Sequence, residues 1–134
     1  MRKIEILYKV ICIVTSLLFL FLFIQLFFDS ASFTRDLGLQ PSDTVTILCR
    51  RTSIFMLGLS VLLFGSKNLS KSMARKMICL STGITMIGLA CMSGYELLRE
   101  TVNSTMLPAM IIETILGVSF FVVLLINKKD NTVQ

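Results

Sequence analysis

The stretch SDTVTILCRRTSIFMLGLSVLLFG, residues 42–65, decides the fold. Its uncharged part, Ser53 to Gly65, has 13 residues, and a helix of that length reaches only about 20 Å. A membrane crossing needs ~20 mostly apolar residues to cover ~30 Å. The helix must therefore begin earlier. Pro41 breaks the chain, and Ser42 or Asp43 can cap a new helix immediately after it. A start near Asp43 makes the segment long enough to span and draws Arg50 and Arg51 into the bilayer.

Three further segments are apolar enough without such an argument: 10–28, 77–95 and 107–126. With 43–65 they make four spans in one membrane domain covering residues 1–134. The composition agrees. The chain is 54% hydrophobic and 16% charged, with mean hydropathy +0.83, whereas soluble domains carry roughly a quarter charged residues. It is too apolar for a disordered chain and too sparsely charged for a nucleic-acid binder, despite a net charge of +5.

Charge sets the orientation. The N-terminus, the second connection and the C-terminal tail together hold nine basic residues: Arg2, Lys3, Lys9, Lys67, Lys71, Arg75, Lys76, Lys128 and Lys129. The opposite side holds four, Arg35, Arg50, Arg51 and Arg99. The positive-inside rule puts the first group, and with it both termini, in the cytoplasm. Asp29, Asp36, Asp43, Glu96 and Glu100 fall outside. The first apolar run, of about 19 residues, exceeds the 7–15 of a signal-peptide core, so it is expected to stay as a span.

The expected fold is thus all-α, a four-helix transmembrane bundle with a short interfacial helix in the first outer connection, DSASFTRDLGLQP. There Phe33 and Leu37 lie one turn apart and Gly38 can end the helix. Such a helix is either a lid over the bundle or a plain tether. Small residues should mark the contact faces, since no hydrophobic force drives helices together in lipid. The candidates are Gly58 and Gly65 with Arg51 on the second span, Gly83, Ile87, Ala90 and Gly94 on the third, and Ala109, Glu113 and Gly117 on the fourth. The first span, rich in phenylalanine, should turn its wide face to lipid.

One constellation carries a chemical signal. Glu113 lies within the last span, where a lone carboxylate is costly. Glu113 and Arg51 should sit about 8 Å and about 12 Å along helices that both start at the outer surface. Pairing would make both tolerable. Arg50 is the other possible partner, or it snorkels to the headgroups. Gln25, Tyr95 and Glu96 reach a similar depth, so every span brings something polar to the outer half. The cluster either fixes helix register or forms an outward-opening pocket for a lipid headgroup, a quinone-like ring or a small solute. A Glu113 held beside Arg51 would stay charged, which argues against a proton-carrying role.

The inventory removes much chemistry. There is no histidine and no tryptophan, so the commonest general base and most haem and zinc sites are missing. Cys12, Cys49, Cys79 and Cys91 form no CxxC pair and read as reduced, buried fillers, although Cys49 and Cys91 share a bilayer half. The eight methionines read the same way. No cofactor, metal site or nucleotide motif is implied. The basic second connection, with Lys67, Lys71, Arg75 and Lys76, either sets topology or holds anionic lipid.

The stretch FTRDLGLQPSDTVTILCRRTSIFMLGLSVLLFG resembles one in a family of small bacterial membrane proteins without assigned function. A basic residue opening the second span, followed by Gly-Leu-rich sequence, also resembles the DoxX-like group. The resemblance implies a four-helix protein of a bacterial inner membrane and transfers no catalytic residue. Three functions compete: a non-enzymatic membrane component, as a homo-oligomer or a subunit of a larger complex; a small dimeric transporter using Glu113; and a lipid- or quinone-directed enzyme, for which no nucleophile–base pair is visible.

Overall fold

The computed structural model describes residues 2–129, which are helical apart from their connections. α1 runs Arg2–Phe28, α2 Ser30–Asp36, α3 Asp43–Ser66, α4 Met73–Leu98 and α5 Leu107–Lys129, with a 3-10 turn at Ser104–Met106 leading into α5. The four long helices are each long and apolar enough to cross a membrane. They overrun the expected spans at the inner side, α1 from Arg2 and α4 from Met73. The side chains of Lys128 and Lys129 and the C-terminal residues 130–134 lie outside the described residues.

Local chemistry explains the boundaries. Ser42 caps α3 by accepting from the Val45 amide at 3.2 Å, directly after Pro41. Ser72 caps α4 through the Arg75 amide at 3.3 Å. α2 starts on Asp29 and ends in a Schellman turn: the Gly38 amide donates to Arg35 O at 2.8 Å and the Leu39 amide to Thr34 O at 3.1 Å. Gly38 has φ +84°, a conformation that only a residue without Cβ adopts at little cost.

The bundle is two antiparallel hairpins. α1 packs along α3, α4 packs along α5, and α1 meets α5 to join the two. The α4–α5 seam follows the small-residue reading. A Cβ on Gly83 would meet the Phe121 ring at 3.1 Å, one on Gly94 the Met110 sulfur at 3.4 Å, and one on Gly117 the Ile87 side chain at 2.8 Å. Here small residues let the backbones approach, which raises dispersion contact where lipid supplies no hydrophobic drive.

The α1–α3 seam does not follow it. Gly58 and Gly65 have open space around them. The buried face of α3 carries Ser53, Ser60, Leu63 and Ser66 instead. Ser16 Oγ donates to Ser60 O at 2.8 Å, and Ser60 Oγ donates back to Ser16 O at 2.9 Å. Serines are small enough for close approach and also satisfy each other, so they do what glycine was expected to do.

Other fillers divide by face. Phe19 is fully buried, while Phe28 faces outward as expected of α1's wide side. Cys12 and Cys79 are core residues beside Met86, Leu116 and Phe120. Cys49 is half-buried and Cys91 exposed, and Met73, Met77 and Met92 are exposed too. The filler reading holds only for those cysteines and methionines that face a neighbouring helix.

Candidate functional site

The reciprocal Ser16–Ser60 contact sets the register of α1 against α3. Equal counts outward along the antiparallel pair bring Gln25 level with Arg51, since both helices rise about 1.5 Å per residue. Depth was therefore readable from the chain. Neighbourhood was not. α3 packs on α1 and α2, whereas α5 packs on α4 and α1. Arg51 is exposed on α3, and Glu113 takes its hydrogen bond from Ser93 on α4, at 3.4 Å. The expected Arg51–Glu113 pair does not form, because α1 separates the helices that carry it.

Glu113 instead lines a pocket of about 640 Å³ at the end of the bundle that carries α2, the end expected to lie outside. α1 supplies Phe21, Leu22 and Gln25, with Gln25 one turn from each of the other two. α5 supplies Ala109 and Glu113, one turn apart. From α2 and the residue after it come Phe33 and Leu37, the pair expected to share one face. Arg35, Asp36, Asn103 and Thr105 form the rim. The walls are apolar and aromatic, and polar groups are few, as small-molecule sites generally require.

α2 is strapped in place. Asn103 Nδ2 donates to Asp36 O at 2.7 Å, Thr105 Oγ1 to the same carbonyl at 2.6 Å, and the Asn103 amide to Leu37 O at 3.0 Å. Beneath it, the Thr34 hydroxyl is buried and bonded to Ser30 O at 2.7 Å. These bonds satisfy the helix's free carbonyls and hold Phe33 and Leu37 over the pocket. Of the two readings of this segment, lid and tether, what is observed is a short helix whose residues line the pocket.

Glu113 is half-buried, with a single long hydrogen bond among the described residues. A carboxylate offers about four acceptor positions, so most of its capacity is unused by the described residues, and Glu113 is one of the residues that line the pocket. No protein-family model, curated protein or solved structure matches this chain. The site therefore has to be read from its own residues.

Of the six residues of the expected polar cluster, Arg51, Glu113, Arg50, Gln25, Tyr95 and Glu96, only Gln25 and Glu113 come together on this pocket. Arg50 and Arg51 are exposed on α3, and the Arg50 carbonyl accepts from Ser53 Oγ at 2.7 Å. Tyr95 is exposed and accepts from Arg99 Nη1 at 3.1 Å. Glu96 is engaged by the Thr101 hydroxyl in the turn that closes α4. Arg35, Asp36, Asn103 and Thr105 were not anticipated. Arg35 and Asp36 lie on α2 between Phe33 and Leu37, and Asn103 and Thr105 lie just before α5; this proximity is the signal that could have found them.

The chain does bury an arginine beside a glutamate, at the inner end. Arg75 is 0% exposed and donates from Nη1 to Glu5 Oε2 at 2.7 Å, with Glu5 44% exposed. The guanidinium also lies 4.0 Å from the centre of the Tyr8 ring, a favourable cation–π placement. Tyr8 OH in turn donates to Ser66 O at 3.2 Å. This contact ties α1, α3 and α4 together. Its signal in the sequence was Glu5, the one acidic residue before Asp29 in an otherwise basic segment.

Proposed function

We propose that this chain is a non-enzymatic, multi-pass protein of a bacterial inner membrane that holds a small amphiphilic molecule in its outer-half pocket. The observation that carries the reading is the cavity of about 640 Å³, with apolar walls from α1 and α5 and the Glu113 carboxylate turned into it. A volume in this range suits a ligand of drug or cofactor size. The polar side chains at the rim give such a molecule a wet end. The chain has no histidine, and the Thr105 hydroxyl at the rim is engaged by the Asp36 carbonyl. Both facts favour binding over catalysis. The test is mass spectrometry of the protein extracted in nanodiscs from its own membrane. A stoichiometric species beyond bulk lipid is expected. A lipid composition identical to that around an unrelated four-span protein would overturn the reading.

One observation favours a second reading, a small dimeric transporter. Among the described residues no cation pairs with Glu113, so the argument that Arg51 holds it permanently charged no longer applies. A proton-coupled efflux assay decides. Flux lost in Glu113→Gln supports transport, and flux unchanged removes it.

On the inner face we propose that anionic lipid meets the basic connection between α3 and α4. Lys67 borders a groove with Lys9, Asn68 and Glu5, where a headgroup phosphate has amines on two sides. Arg75, being buried against Glu5 and Tyr8, contributes by shaping this end.

A further inference from the structure

We infer that the molecule in the outer pocket is a hydrophobic organic cation, with Glu113 as its counter-ion. This rests on the pocket reading above and specifies it. The argument is the order of charge with depth. Arg35 and Asp36 are neighbours on α2 at the rim, and their opposite charges offset each other there. Glu113, on α5 deeper in the membrane, has no offsetting cation among the described residues, and its sole hydrogen bond among them is the 3.4 Å contact from Ser93. The pocket therefore carries a net negative charge at its apolar end.

That order excludes the commonest alternative. In a phospholipid of the outer leaflet the acyl chains lie deepest, the phosphate next and any amine nearest water, so the charged group closest to Glu113 would be the phosphate. A phosphate there would face Glu113, and like charges repel strongly in a medium of low dielectric. A positive group embedded in apolar substituents matches both features. It pairs with the carboxylate, and the faces of Phe21 and Phe33 supply further attraction for a cation.

The chain contains no tryptophan, so Phe33→Trp places a single fluorophore on the pocket wall. The full chain in nanodiscs is titrated with tetraphenylphosphonium and, separately, with tetraphenylborate, its size-matched anion. The expected result is a saturable fluorescence change with the phosphonium that the borate does not compete for. Adding Glu113→Gln should weaken apparent affinity by about tenfold or more, and Glu113→Asp, which keeps the charge, should recover part of it. Equal response to both ions, no effect of Glu113→Gln, or no saturable response to the phosphonium would each overturn the cation assignment. The pocket reading is judged separately, by the molecule that co-purifies.

Discussion

Arg51 and Glu113 share the outer half of the bundle, yet α1 stands between their helices. Arg51 is level with Gln25 through the Ser16–Ser60 register, and Gln25 and Glu113 line one pocket. Arg51 itself faces outward. If the two charges do not interact, their removal should be additive. Arg51→Leu and Glu113→Leu, alone and together, are compared by thermal unfolding in nanodiscs, and the double mutant should equal the sum within about 0.5 kcal/mol.

The inner pair should behave oppositely. Glu5→Gln leaves the buried Arg75 guanidinium without its anion. Stranding a fully buried charge costs about 3–5 kcal/mol. Because Glu5 is 44% exposed, solvent screening should reduce this to about 1–2 kcal/mol. Arg75→Met combined with Glu5→Gln should lose less than the sum of the two singles. Strict additivity in the same unfolding assay would contradict the structural role given to this pair.

Glycine should matter on α5 and not on α3. A Cβ at Gly117 would lie 2.8 Å from Ile87 Cγ1 and 3.2 Å from the Ile87 amide nitrogen, so rotation of a side-chain end does not relieve it. Gly117→Leu is expected to destabilise by about 1–3 kcal/mol, the usual cost of overpacking. Gly58→Ala meets nothing within 4 Å and should be neutral or up to about 1 kcal/mol stabilising, from helix propensity. Abundance and unfolding midpoint of the two variants measure the contrast.

The end of α4 offers a stabilising change. Its last turn closes as α2's does, with the Glu100 amide donating to Leu97 O and the Thr101 amide to Glu96 O, both at 3.1 Å. The left-handed position falls on Glu100, φ 57°, where α2 uses glycine. Glu100→Gly should raise stability by about 0.5–1 kcal/mol, because a side chain pays a steric penalty in that region. An unchanged or lower midpoint would count against this turn geometry.

What the chain made legible was set by one-dimensional physics. Helix length against bilayer thickness showed that the Asp43 segment must include Arg50 and Arg51. Cap chemistry located Ser42 and Gly38, and spacing placed Phe33 and Leu37 on one face of a short outer helix. Depth followed from counting residues. Adjacency did not, because four antiparallel helices of similar depth can be arranged around one another in several ways, and nothing local to Arg51 or Glu113 specifies whether α1 or α5 lies beside α3. The same ambiguity hid the serine face of α3. Ser53 and Ser60 share the spacing of Gly58 and Gly65, and only the neighbouring helix shows which stripe is covered.

The direct test of the outer pocket is to fill it. Ala109→Trp places a large ring among Leu22, Met106 and Glu113 while leaving the Ser16–Ser60 and Arg75–Glu5 contacts intact. Native mass spectrometry of nanodiscs carrying the original chain and this variant should show the bound molecule in the first and its loss from the second, with helical content unchanged in both. The same adduct at the same occupancy in both would mean that whatever binds this protein binds elsewhere.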